Sequence, residues 1–126
     1  MIDRYSREEL KKIWLDKNRY NIWFQIELAA AEAMEKYNII PKGVVKKIKS
    51  KSKINVERIT KIEGKVRHDV IAFLTSITEK AGNEGRFLHK GMTSSDVLDT
   101  CFNIQLKQSG FIILKGNPCI QIGIHK

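Results

Sequence analysis

Three short groups of polar residues in this 126-residue chain have types and spacing suited to holding anions or moving protons. They are Arg-Tyr at positions 4–5, Arg-His-Asp at 67–69, and the run His-Lys-Gly-Met-Thr-Ser-Ser-Asp at 89–96. Arginine presents a planar fork to carboxylates and phosphates, and histidine exchanges protons near neutral pH. The sequence therefore favours a site for a small anionic molecule, on which we expect the three groups to converge.

The third group stands in front of an apolar stretch with helical spacing. Hydroxyls of Thr93 and Ser94, together with unpaired N–H groups at the positive end of a helix, would cradle a carboxylate or phosphate. Ordinary helix capping uses the same residue types. A histidine next to an aspartate, as in His68-Asp69, is also a common structural hydrogen bond. The residues alone leave both interpretations open.

Several kinds of site have no signature in this chain. It carries no metal-ligand spacing, nucleophile elbow, phosphate-binding loop or dinucleotide fingerprint. Cys101 and Cys119 are too far apart for a CxxC pair, which argues against both a zinc site and a disulfide framework. The charged first residues and the short apolar runs predict neither a secretory signal nor a membrane span, so a cytoplasmic location is expected.

The charge balance is basic. Lysine plus arginine number 23 and aspartate plus glutamate 14, a formal net charge of +9. Six lysines and no acid lie between Pro41 and Lys53. A solvated helix face is the ordinary interpretation, and a surface for nucleic-acid phosphates is the alternative. No aromatic residue interrupts the lysines, which weighs against a stacking site for single strands.

Apolar residues recur at helical spacing nearly throughout, which predicts an all-α protein. Helices are expected over residues 7–15, 18–37, a Lys-rich stretch to about 50, 55–66, 69–80 and 95–115. The expected N-caps are Ser6 in a capping box with Glu9, Asn55, Asp69, and either Ser94 or Ser95. Gly82 is expected in the left-handed conformation just beyond the fifth helix.

The last predicted helix is apolar nearly all round near Phe111–Leu114, as in helices buried inside a bundle. The chain has too few other helices to cover it, so this surface predicts further packing partners. Gly116, Asn117 and Pro118 end the pattern, and the alternating isoleucines between Ile120 and Ile124 fit a short strand.

Together, four segments resemble the fumarase/aspartase superfamily and, within it, the adenylosuccinate lyases. They read M-I-D-R-Y-S, W-F-Q-I-E-L-A-A-A-E-A, R-H-D-V-I-A-F-L and E-G-R-F-L-H-K-G-M-T-S-S-D-V-L-D-T. The resemblance spans about Met1 to Leu114. Thr-Ser-Ser-Asp by itself indicates only the superfamily, whereas Arg-His-Asp-Val-Ile-Ala-Phe favours the purine-pathway member over argininosuccinate lyase or fumarase.

The resemblance implies the N-terminal helical domain of the fumarase/aspartase fold at residues 1–93 and the start of the first long central-bundle helix at 94–115. Residues 116–126 depart from the family, and we interpret them as a divergent tail produced by truncation or frameshift. The resemblance also implies a homotetramer whose sites combine several subunits. No metal or organic cofactor is implied, and neither a membrane nor nucleic acid is an expected partner.

The implied reaction is a β-elimination by a C–N lyase. It cleaves adenylosuccinate to AMP and fumarate, and removes fumarate from the succinylocarboxamide ribotide of purine biosynthesis. Residues that match the family's substrate-binding positions are Arg4, Tyr5, Arg67, His68, Asp69, His89, Thr93 and Ser94. His68 also matches a catalytic position, viewed as acid-side or substrate-orienting. The second catalytic histidine and the flexible serine loop are expected outside this chain, so the chain alone is expected to be inactive.

Two other functions stay open at this point. One is a non-catalytic basic helical remnant that binds polyanions or docks onto a full-length lyase. The other is a lyase of the same superfamily with another substrate, such as argininosuccinate.

Overall fold

The computed structural model describes residues 5–116, and these form helices with no strand among them. Their bounds are α1 (Glu8–Ile13), α2 (Asp16–Lys36), α3 (Val44–Lys51), α4 (Val56–Val66), α5 (Asp69–Ala81), a 3-10 helix (Gly82–Phe87) and α6 (Ser94–Gly116). The predicted all-α class is confirmed. Arg4 and the strand predicted at Ile120–Ile124 lie outside the described residues.

An aromatic cluster fixes α2 against α5. Tyr20 and Trp23 lie one turn apart on α2, and both contact Phe73 of α5, with ring centroids 6.0 and 5.5 Å away. All three side chains are buried. Of the apolar stripe predicted for α2, which runs from Tyr20 to Tyr37, the N-terminal part faces the core, whereas Tyr37 is 73% exposed. Burial of apolar side chains is the main source of the helix's stability.

Helices α4 and α5 form a tight antiparallel pair. Asn55 caps α4 as predicted, its side chain accepting a hydrogen bond of 2.9 Å from the Arg58 N–H. Arg67 ends the helix in the left-handed conformation, at φ 52°. His68 then returns to extended backbone and α5 begins at the next residue. The turn between the two helices therefore consists of two of the predicted site residues.

The cap of α5 differs from the prediction. His68, not Asp69, is the N-cap, and its Nδ1 accepts a long hydrogen bond of 3.4 Å from the Ile71 N–H. Asp69 occupies the first helical position and accepts from the Val70 N–H at 2.7 Å. The left-handed Arg67 turns the chain one residue earlier than the sequence suggested, which moves the cap by one position.

Three other local predictions need correction. Arg7 is the N-cap of α1 and makes no side-chain capping bond, so the helix begins one residue too late for a Ser6–Glu9 box. Gly82 has φ 69° and ψ −140°, a conformation that favours glycine but is not the left-handed helical one. The residue that precedes α6 is Thr93, whereas Ser94 and Ser95 lie within the first turn.

Helix α6 runs opposite to α2, and polar contacts join it to both α1 and α2. Gln105 Nε2 donates to the Ile13 carbonyl at 2.8 Å, and Asn18 Nδ2 donates to Gln108 Oε1 at 3.1 Å. The other face of α6 remains uncovered in the described part of the chain, as the sequence predicted. Its large exposed side chains are Phe102, Leu106, Phe111 and Ile113.

Candidate functional site

A buried carboxylate on α2 holds one of the predicted site residues. Glu27 lies four residues after Trp23, on the face of α2 that packs into the core, and only 1% of its surface is exposed. Its Oε2 accepts a hydrogen bond of 2.7 Å from the His89 backbone N–H, and its Oε1 lies 2.7 Å from His89 Nδ1. Burial of a carboxylate is costly unless it is paired and hydrogen-bonded. Glu27 therefore holds His89 against the core through two contacts.

The loop that carries His89 has an uncommon backbone. His89 has φ 58° and Gly91 has φ 73°, both in the left-handed region. Non-glycine residues adopt this region infrequently and at an energetic cost, so the surrounding structure must enforce it. The Glu27 bond to the His89 N–H supplies such a restraint. The chain then turns within a few residues and enters α6.

The start of α6 is closed by its own aspartate. Asp96 Oδ2 accepts from the Thr93 N–H at 2.8 Å and lies 3.1 Å from the Thr93 hydroxyl. The Thr93 backbone bond lowers the pKa of Asp96 most, the hydroxyl bond adds to this, and nearby His89 lowers it further. His89, Thr93 and Asp96 therefore share one neighbourhood, with Ser94 next to them in the first turn.

The second predicted group forms a polar corner at the turn between α4 and α5. Arg67 and His68 are exposed and Asp69 is half-buried. His68 Nδ1 lies 3.7 Å from Asp69 Oδ1 and also accepts the α5 cap bond. The opposite edge of the imidazole is thereby available to a ligand. Both the structural and the functional interpretations of this His-Asp pair fit this arrangement.

Tyr5 belongs to a different part of the surface. It is 73% exposed and lines a groove of about 630 Å³ between α1 and the end of α6, together with Trp14 and Ile113. Ile113 lies 20 residues after Thr93, about 30 Å along α6 at 1.5 Å per residue. Tyr5 and Thr93 therefore lie near opposite ends of that helix, too far apart to hold one small molecule within one chain.

His68 makes no described contact with the His89–Thr93 neighbourhood. Helix α5 is 13 residues long, about 20 Å, and lies between His68 at one end and the segment leading to His89 at the other. No hydrogen bond or ion pair described for residues 5–116 joins the two histidines. The four cavities described on this surface are lined by other residues. Within one chain, the structure brings together His89, Thr93 and Ser94 and places Tyr5 near the far end of α6, and the Arg67–Asp69 corner has no described contact with either.

Sequence reasoning missed Glu27. The available signal was a charged residue in a core position of the α2 stripe, in register with Tyr20, Trp23 and Ala31. An acid at such a position must find a partner inside the fold. Its partner is 62 residues away in sequence, so spacing could not identify it.

The lysine-rich surface is less basic in the structure than in the sequence. Glu84 lies 3.2 Å from Lys47 Nζ and 3.7 Å from Lys51 Nζ. Its own backbone N–H and the Lys47 hydrogen bond lower the pKa of Glu84, so this carboxylate stays ionised beside the lysines. Two of the six lysines are therefore partly neutralised, which disfavours a polyanion site.

Neither a metal-ligand cluster nor a membrane-spanning helix is found among the described residues. Between residues 5 and 116, no group of three or more His, Cys, Asp or Glu side chains is placed to hold a metal ion. The helices in the same range are too short or too polar to cross a bilayer.

Comparison with known proteins confirms the resemblance found in the motifs. The chain is 46% identical over 115 residues to a protein named adenylosuccinate lyase from Staphylococcus saprophyticus. The match takes in 91% of this chain but only 27% of that relative, so the chain spans about a quarter of its length. No protein-family model matches the chain.

The fold comparison agrees. The crystal structure of a fumarate lyase from Mesorhizobium sp. BNC1 superposes with a TM-score of 0.78 and 21% sequence identity. The superposition covers 88% of this chain and 28% of that one. The described helices therefore have the fold of part of a fumarate lyase.

Proposed function

We propose that this chain is part of an adenylosuccinate lyase that eliminates fumarate from adenylosuccinate to give AMP, and from the succinylocarboxamide ribotide in the same way. The observation that carries the proposal is the 46% identity over 91% of the chain to a protein of that name. The lyase fold and the grouping of His89, Thr93 and Ser94 at the start of α6 are consistent with it.

The residues of the chain have separate tasks in the proposed reaction. A base removes a proton from the succinyl carbon, the resulting carbanion is stabilised through the adjacent carboxylate, and an acid protonates the departing nitrogen. Hydroxyls of Thr93 and Ser94 and the positive end of α6 suit the succinyl carboxylate. His68 is proposed as the acid-side or substrate-orienting residue. Arg4, Tyr5, Arg67, Asp69 and His89 are proposed to bind the remainder of the substrate.

We also propose that each complete site combines residues of several chains in a homotetramer in the cytoplasm. Two observations support this. Tyr5 and Thr93 lie near opposite ends of α6 and are too widely separated within one chain to contact one substrate. The apolar face of α6 is also exposed, as expected of a helix that packs against others.

A chimaera tests the activity directly. The region of the staphylococcal relative that matches this chain is replaced by residues 1–115, and release of fumarate and AMP is measured with adenylosuccinate and, in parallel, argininosuccinate. We expect turnover of adenylosuccinate only. His68→Ala should lower kcat by about 10²–10⁴-fold, the usual contribution of a general acid or base.

Lys65→Ala is the matched control, because Lys65 is exposed three residues before His68 and has no proposed role. It should leave kcat unchanged. A folded chimaera of native-like mass that cleaves argininosuccinate but not adenylosuccinate would disprove the substrate assignment. Full activity in the His68→Ala variant would disprove the role of His68.

A further inference from the structure

We propose that Glu27 is a positioning residue for His89, and that it leaves His89 Nε2 as the ring nitrogen offered to an anionic ligand at the start of α6. The inference rests on the proposed function in one respect, because it takes His89 and Thr93 to be substrate-binding residues. It adds to that function a buried residue which never touches substrate.

The geometry of the carboxylate carries the inference. Both oxygens of Glu27 are used by the same residue, one by the His89 backbone N–H and the other by the ring, each at 2.7 Å. A single contact would leave the imidazole free to turn about its side-chain bonds. Two contacts from a rigid, buried group fix both the backbone and the ring plane.

The same contacts decide which ring nitrogen carries a hydrogen. An ionised carboxylate only accepts hydrogen bonds, so Nδ1 of His89 must donate to Oε1. This holds whether the ring has one proton or two. Nδ1 is consequently engaged inside the fold, and Nε2 is the nitrogen that remains. The His89 side chain is 22% exposed, so a ligand can reach it.

The position of the His89 ring beside the start of α6 indicates that its ligand is an anion. Two carboxylates act on His89: Glu27 of α2 contacts its ring, and Asp96 of α6 is near enough for His89 to lower the pKa of Asp96. Asp96 closes the first turn of α6 through Thr93, as expected of a negative charge at the positive end of a helix. A substrate carboxylate or phosphate bound at this helix start would lie close to His89, whose ring is partly exposed.

Nitrogen NMR on the 126-residue chain tests the proposal. Long-range proton–nitrogen spectra distinguish protonated from unprotonated ring nitrogens, and the His89 signals are identified by their loss in His89→Asn. In the unsubstituted chain we expect Nδ1 of His89 to be protonated. In Glu27→Gln, the amide oxygen retains the backbone N–H while its NH₂ donates to Nδ1, so the ring should convert to the form protonated on Nε2.

Glu32→Gln is the control, since Glu32 lies exposed on the same helix and undergoes the same change. It should leave the His89 signals as they were. An unprotonated His89 Nδ1 in the unsubstituted chain overturns the proposal. This measurement needs no variant, so the test remains valid if Glu27→Gln does not fold. A folded Glu27→Gln chain with unchanged His89 signals overturns it as well.

The chimaera separates this proposal from the proposed function. In an active chimaera, Glu27→Gln should lower kcat/KM for adenylosuccinate by at least about tenfold, while Glu32→Gln should not. Equal activity of the two variants overturns the positioning role. An inactive chimaera whose His89 is protonated on Nδ1 counts against the proposed function, whereas the Glu27–His89 arrangement stands.

Discussion

At the scale of single residues, Glu27 and His89 depend on each other. A buried carboxylate needs a partner that donates hydrogen bonds, and a left-handed histidine needs a restraint. Each residue meets the other's requirement through two contacts of 2.7 Å. Glu27, a charged residue that would be unfavourable in the core by itself, thereby holds the loop of His89 that leads into α6.

Asp96 provides a prediction about pH at the same scale. Its pKa is lowered in the folded chain by the Thr93 bonds and by His89, so folding favours the ionised form. This contribution is fully present above the unfolded pKa, about 4, and is lost as the pH falls through the lower folded value. Asp96→Asn should therefore be less stable than the unsubstituted chain at neutral pH.

The difference in thermal stability between Asp96→Asn and the unsubstituted chain should shrink as the pH falls below about 4. Thermal unfolding followed by circular dichroism at several pH values measures it. Asp99→Asn is the control, because Asp99 is an exposed acid one turn further along α6. An Asp96→Asn difference that stays constant from neutral to acid pH would contradict the assigned cause.

At the scale of helices, the ends of α4 show what a cap contributes. Asn55 satisfies the Arg58 N–H at 2.9 Å, a donor with no partner inside the helix. Asn55→Ala should lower the free energy of unfolding by about 1 kcal/mol. Urea denaturation measures this, with the exposed Asn83→Ala as control. Equal losses in both variants would mean that the cap bond contributes nothing.

Two glycines in different helices should respond in opposite ways to alanine. A Cβ at Gly85, in the 3-10 helix, would lie 2.6 Å from Thr78 Cγ2 and 3.0 Å from its Cα, so α5 and the 3-10 helix would have to separate. Gly85→Ala should cost about 1–3 kcal/mol. A Cβ at Gly64, inside α4, meets nothing within 4 Å.

Gly64→Ala should therefore stabilise the chain by about 0.5–1 kcal/mol, through reduced freedom of the unfolded backbone. Both variants are compared by urea denaturation under identical conditions. Stabilisation by both changes would show that Thr78 and the 3-10 helix are not packed as closely as described.

At the scale of the whole molecule, the uncovered face of α6 predicts self-association. Leu106 and Phe111 are about half exposed, and a monomer rarely leaves so many large apolar residues uncovered on one helix. Sedimentation velocity should detect oligomers whose proportion rises with concentration. Leu106→Glu with Phe111→Glu should shift the chain towards monomer.

Ile39→Glu is the control for this experiment. Ile39 is 56% exposed but lies in the loop after α2, away from α6. The same introduction of charge there should leave the oligomer distribution unchanged. A monomeric unsubstituted chain at high concentration would contradict the interpretation of α6 as an association surface.

The arrangement of the helices follows from local patterns to different degrees. Apolar spacing located α2 within two residues, and the Asn55 cap and the body of α5 were found in the same way. The cap of α5 was misplaced, since Asp69 and His68 both suit that position chemically. The left-handed turn at Arg67, a tertiary feature of the α4–α5 pair, decided between them.

The sequence by itself determined the helical class, the approximate helix bounds and the resemblance to a lyase family, because periodicity, caps and motifs are properties of neighbouring residues. Only the tertiary structure joined Glu27 to His89 across 62 residues. It alone placed Tyr5 and Thr93 near opposite ends of α6. Distances between distant segments depend on how helices cross and in which direction they run, and a one-dimensional pattern holds no information on either.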